Sequence, residues 1–130
     1  MASPKPNIRF LDEAKRVVIK IGSSLFVDAE TGTLDRAWLD ALAADVADLH
    51  AAGKAVVIVS SGAVALGRRE LGLDPHKARL EENQAAAATG QILLAHAYKD
   101  LLGKRGIKVA QVLLTLDDSE SRPRYLNAVR

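Results

Sequence analysis

The sequence predicts an α/β fold with a parallel sheet, and three observations carry that reading. Short apolar runs, β-branched in the first two, occupy 17–21, 55–59 and 109–114, the signature of strands. Each run is almost continuously apolar rather than alternating, the pattern of strands covered on both faces. Stretches of helical periodicity separate them, and strands joined through helices pair in parallel with right-handed crossovers.

The first run, Val17-Val18-Ile19-Lys20-Ile21, stops at Gly22. After it, Leu39, Leu42, Ala43, Val46 and Leu49 recur at i, i+3, i+4, i+7 and i+10 and draw one apolar stripe along a helix. Asp35 is placed to cap the start of that helix and Gly53 to end it. The second run, Ala55-Val56-Val57-Ile58-Val59, ends in Ser60-Ser61-Gly62. Residues 63–71 read as a shorter helix before Gly72, and an alanine-rich helix runs from Asn83 to about Lys104. Gly106 introduces the third run, and residues 122–130 begin another helix. No internal repeat, linker or low-complexity tract interrupts the series.

Composition narrows the function classes. The 130 residues are 48% apolar and 26% charged, the balance of a globular domain and not of a disordered tail or fibre. Eighteen Lys and Arg against sixteen Asp and Glu leave a net charge of +2, too little for a nucleic-acid footprint. Two Phe, two Tyr and one Trp offer no base-stacking platform. The absence of cysteine excludes disulfides, thiol nucleophiles and Cys-ligated zinc. Residues 1–16 are polar, carry Pro4 and Pro6, and lack the apolar core of a secretory signal. The apolar runs are too short to cross a bilayer. The cytoplasm is the expected location, with no membrane partner.

In parallel α/β sheets ligands gather at the carboxyl ends of strands. Two polar, glycine-containing turns sit there, Lys20-Ile21-Gly22-Ser23-Ser24 and Ser60-Ser61-Gly62-Ala63. Backbone N–H groups at such junctions favour anions. Lys20 is the odd residue, a cation in an apolar strand. It is either an end-of-strand lysine whose ammonium reaches water or a functional cation, because an unpaired ammonium is costly to bury. Gly22, Ser23 and Ser24 either make a plain turn or line an anion site. Ser60 and Ser61 either cap the helix that follows or hold an anion, two compatible roles. Walker A, the dinucleotide fingerprint and the nucleophile elbow are all missing. His50, His76 and His96 stand singly, and Asp117, Asp118 and Glu120 read as a helix entry, so no metal ligands are assigned.

Residues 17–24 and the run Val57-Ile58-Val59-Ser60-Ser61-Gly62-Ala63-Val64-Ala65-Leu66-Gly67 closely resemble the glutamate 5-kinase branch of the amino acid kinase family. The likeness continues through Asn83-Gln84-Ala85-Ala86-Ala87-Ala88-Thr89-Gly90-Gln91 and Ala110-Gln111-Val112-Leu113-Leu114-Thr115 to Arg124-Tyr125-Leu126-Asn127-Ala128. The lysine–glycine strand is shared across the family. The Ser-Ser-Gly-Ala turn, the glutamine-containing helix and the Leu-Asn-Ala ending, in that order, are specific to the branch. Pro123 and Val129 depart from its usual pattern.

The resemblance implies a three-layer αβα sandwich with a mainly parallel sheet, of which residues 16–130 form the N-terminal, substrate-side portion after an extension at 1–15. It implies ATP-dependent phosphorylation of the side-chain carboxylate of L-glutamate with Mg2+, the first step of proline biosynthesis, in a homo-oligomer. Lys20 matches the catalytic lysine on the ATP phosphates. Gly22 and Ser23 match the turn beside those phosphates, with Ser24 a weaker match. Ser61 matches the glutamate-binding serine, with Gly62 and Ala63 offering backbone groups. The family's later acidic residues, second lysine and base pocket have no counterpart in these 130 residues, so the segment by itself is expected to be inactive. The alternatives are a non-catalytic anion-binding or association module and another carboxylate kinase of the family.

Overall fold

In a computed structural model, which describes residues 8–28, 30–114 and Pro123, the chain runs α1 (Ile8–Glu13), β1 (Arg16–Ile21), a 3-10 turn (Ser23–Leu25), α2 (Arg36–Ala51), β2 (Ala55–Ser60), α3 (Ala63–Glu70) and α4 (Leu80–Gly103). β1 and β2 pair in parallel, Arg16 beside Ala55 through Ile21 beside Ser60. Both strands therefore end at the same edge. The register begins at Lys15, whose carbonyl accepts the Ala55 N–H at 2.8 Å. The neighbouring Lys54 ammonium donates to the carbonyls of Leu11, Asp12 and Ala14 at 2.8–2.9 Å, closing the C-terminal end of α1 against the start of β2.

The predicted boundaries of α2 hold for the predicted reasons. The Asp35 carboxylate accepts the Trp38 N–H at 2.9 Å, and Gly53 takes φ +78° just past the helix end. Leu39, Ala43 and Val46 from its apolar stripe are buried. They join Ile21, Phe26, Val27, Leu66, Leu94, Leu101 and Leu102 in one core. The Phe26 and Trp38 rings stack with centroids 5.7 Å apart. α4 starts at Leu80, earlier than periodicity indicates, because the Glu82 carboxylate accepts the Arg79 N–H at 2.7 Å and fixes the first turn there. That bond is the main reason the Glu82 carboxyl lies below its ordinary range.

α3 lies directly on α4, and two glycines permit the approach. A methyl group on Gly67 would overlap the Ala86 carbonyl, and one on Gly90 the Ala63 carbonyl. Ala86 is completely buried between them. The Asn83 side chain ties the pair further, accepting from Arg68 Nε at 2.8 Å and donating to the Ala78 carbonyl at 3.1 Å. A short loop after Val27 also packs onto α3, where Gly32, at φ +63°, sits against Ala65 and Arg69. The Thr31 N–H above all, with that of Glu30, binds the Asp28 carboxylate in this loop and holds its pKa below the usual range.

Two predicted features are corrected. Residues 109–114 form no strand: the sheet of the described residues has two members, and Val112, Leu113 and Leu114 are about 70% exposed. An apolar run supplies strand propensity, but a strand exists only where a partner offers its backbone. The sheet is also covered on one face only among the described residues. Val17, Ile19, Ile21, Val56, Ile58 and Ser60 turn toward the helices, while Val18, Lys20, Val57 and Val59 are exposed. The α/β class with a parallel sheet stands. The helix expected from Arg122 and the carboxylates of 117–120 lie outside the described residues, Pro123 excepted. No helix among the described residues is long and apolar enough to cross a membrane.

The α3–α4 contact yields a stability prediction. Gly67→Ala or Gly90→Ala will lower the unfolding free energy of the 130-residue chain by about 3 kcal/mol, because backbone must move to admit the methyl group. Gly103→Ala, where a Cβ meets nothing within 4 Å, will leave it unchanged or raise it by up to about 1 kcal/mol. Urea denaturation separates the two outcomes.

Candidate functional site

The parallel register sets the site. Ile21 and Ser60 are partners at the last rung, so the turn leaving β1 and the turn leaving β2 emerge side by side. A direct bond joins them: the Ser23 N–H donates to Ser61 Oγ at 3.1 Å. This answers the capping question raised by the sequence. α3 begins at Ala63 with Gly62 at its cap position, and no side chain caps it. Ser61 stands one residue before that cap position, and its hydroxyl oxygen accepts from the neighbouring turn. The first N–H groups of α3 are therefore left for solvent or a ligand.

The two glycines of the site differ in what requires them. Gly62 has φ +107°, and a Cβ there would lie 3.1 Å from both Ser23 Cβ and Val27 Cγ2. It lets the second turn lie against the first. Gly22 has ordinary extended backbone, φ −74° and ψ 144°, and a Cβ on it would meet nothing within 4 Å. Neither conformation nor packing asks for glycine at 22, and the open space above its backbone is where a ligand can come close.

Lys20 stands one residue before this edge, beside Val59, on the sheet face away from α2 and α4. Its side chain is exposed and enters no ion pair among the described residues. The concern over a buried ammonium therefore does not arise. Gly22, Ser23, Ser61 and Gly62 come together at one edge, with Ala63 opening α3 behind them. Ser24 follows on the exposed side of the 3-10 turn. The assembly offers backbone N–H groups, two hydroxyls and one cation, a set that can hold anionic oxygens.

Among the described residues no three His, Asp or Glu side chains converge on a metal position. The described residues therefore do not build a magnesium site of their own. His76 pairs instead with Glu30 at 3.1 Å on the surface.

Sequence reasoning missed one participant. Tyr98 of α4 donates its hydroxyl to Ser60 Oγ at 3.0 Å. The available signal was a polar-tipped aromatic residue on the buried stripe of Leu94, Ala97 and Leu101, because such a ring seeks a partner for its hydroxyl.

The contrast between the glycines can be measured. Gly22→Ala will leave the unfolding free energy within about 0.5 kcal/mol of the parent. Gly62→Ala will lower it by about 1–3 kcal/mol, because alanine resists the left-handed backbone. Equal effects at the two positions would contradict this geometry.

The chain is 64% identical over 118 residues to a glutamate 5-kinase of Paramagnetospirillum magneticum, covering 91% of this chain and 32% of that protein. It is 61% identical over 117 residues to a glutamate 5-kinase of Caulobacter vibrioides, with 90% and 31% covered. A glutamate 5-kinase of Brucella ovis is 56% identical over 121 residues, with 93% and 32% covered. The chain thus spans about a third of the length of the curated relatives it matches. The model of the amino acid kinase family matches residues 15–130, nearly the whole chain and both glycine turns, and the chain belongs to that family.

Proposed function

We propose that residues 16–130 are the N-terminal, substrate-side part of a kinase that transfers the γ-phosphoryl group of ATP to the side-chain carboxylate of L-glutamate. The observation that carries this reading is the junction of two anion-ready turns, bridged by Ser23 and Ser61. Its support is the name glutamate 5-kinase shared by the relatives at 56–64% identity.

Each residue then has a task. A carboxylate oxygen of glutamate attacks the γ-phosphorus while the bond to the β–γ bridging oxygen breaks, giving γ-glutamyl phosphate and ADP. Such a reaction depends on positioning and charge neutralisation more than on covalent chemistry by the protein. Lys20 provides a cation for the phosphoryl oxygens. Gly22 and Ser23 let backbone approach the phosphates, with Ser24 at the rim. Ser61, Gly62 and Ala63 hold the glutamate carboxylate through a hydroxyl and the uncapped N–H groups of α3. Magnesium would travel on the nucleotide's phosphates, as this ion commonly does in kinases. The working enzyme is cytoplasmic and homo-oligomeric on this reading.

A chimera tests it: this chain joined to the remaining two-thirds of the Paramagnetospirillum magneticum relative. With ATP, magnesium and glutamate it will release ADP and form an acyl phosphate that hydroxylamine traps. Lys20→Ala will cut kcat on the order of a hundredfold or more with the fold intact. Ser61→Ala will raise KM for glutamate roughly ten- to a hundredfold, as expected for losing a bond to a charged group, and will change KM for ATP little. No ADP from the parent chimera, or full turnover by Lys20→Ala, would defeat the proposal.

A further inference from the structure

Ser60 closes the helix-facing row of β2, and Tyr98 reaches it from α4. The direction of this contact is fixed by counting protons. Ser60 has a single hydroxyl proton and directs it at the Ser61 carbonyl, so the Tyr98 O–H is the donor to Ser60 Oγ. Burial pushes the Tyr98 phenol above its ordinary pKa, outweighing that bond. Ser60 Oγ accepts the hydrogen bond from Tyr98 and donates its own O–H to the Ser61 carbonyl at 3.3 Å. The peptide between Ser61 and Gly62 is trans, so its C=O and N–H point in opposite directions. Holding the carbonyl on the Ser60 hydroxyl therefore turns the Gly62 N–H away from it. The same residue, Ser61, receives the Ser23 N–H through its side chain. Its carbonyl and hydroxyl are thus each held, one by a chain from the helix layer and one by the opposite turn.

We infer that Tyr98 and Ser60 are positioning residues for the carboxylate-binding turn, aiming the Gly62 N–H through the chain Tyr98 hydroxyl, Ser60 hydroxyl, Ser61 carbonyl. The inference rests on the proposed assignment of Ser61 and Gly62 to glutamate. Neither Tyr98 nor Ser60 touches substrate, so their loss loosens binding without removing a reacting group. Tyr98 lines the same small apolar cleft as Leu42, Val46, Ile58 and Leu101, and phenylalanine keeps its ring.

Two measurements test the inference. In the chimera, Tyr98→Phe and Ser60→Ala will each raise KM for glutamate about three- to tenfold, the range of one neutral hydrogen bond, with kcat and KM for ATP little changed. The double variant will be no worse than the worse single, and Ser60→Thr, which keeps the hydroxyl, will restore the parent value. In the 130-residue chain, amide exchange at Ser61–Ala63 will quicken in Tyr98→Phe while exchange in α2 stays as in the parent. An unchanged KM for glutamate in an active chimera, or additive effects in the double variant, would overturn the inference and leave the kinase reading standing. An inactive parent chimera would overturn the kinase reading, and unchanged exchange at Ser61–Ala63 would then overturn the hydrogen-bond chain as well.

Discussion

The in-register parallel pairing of β1 and β2 is the constraint on which the rest depends. Its starting rung, Lys15 to Ala55, and its last, Ile21 beside Ser60, bring both strands to the same edge. A slip of β1 by one residue would turn Ile19 and Ile21 out of the core and send Lys20 into it. Hydrophobic burial thus enforces the register that makes the two turns neighbours. The Ser23–Ser61 bond is the consequence of that register, worth only about 1 kcal/mol itself.

The helices complete what the sheet begins. Gly67 and Gly90 let α3 settle against α4, which fixes where α3 starts and where its uncapped N–H groups lie. Gly62 then brings the β2 turn against Ser23 and Val27. These three glycines, like Gly32 against Ala65 and Arg69, serve close contact within the fold, whereas Gly22 borders open space. On the proposed function, the packing glycines build the carboxylate side of the site, and Gly22 leaves room for phosphates.

Much of this was legible in the sequence because it is local. The stripe of α2, its Asp35 cap and Gly53 stop, the two β-branched strands and their polar turns all follow from nearest-neighbour rules, and the structure repeats them. The candidate residues Gly22, Ser23, Ser61 and Gly62 do meet at one edge. What sequence rules could not supply was non-local. Residues 109–114 have the residues of a strand without a partner among the described residues, and coverage of the second sheet face depends on what packs there. The Tyr98–Ser60 bond joins residues 38 positions apart, and no periodicity announces it. Adjacency leaves Ser61 open between helix cap and anion ligand, and only the Ser23 N–H, from a distant part of the chain, shows which partner its hydroxyl takes.

The central claim is that the two adjacent turns make one site, with phosphate on the β1 side and carboxylate on the β2 side. A crystal structure of the chimera with glutamate and a non-hydrolysable ATP analogue tests it most directly. The account predicts the glutamate side-chain carboxylate on Ser61 Oγ and the N–H groups of Gly62 and Ala63, with the γ-phosphate over Gly22 and within reach of the Lys20 ammonium. A glutamate bound elsewhere, or phosphates seated on the α3 N-terminus in its place, would contradict it.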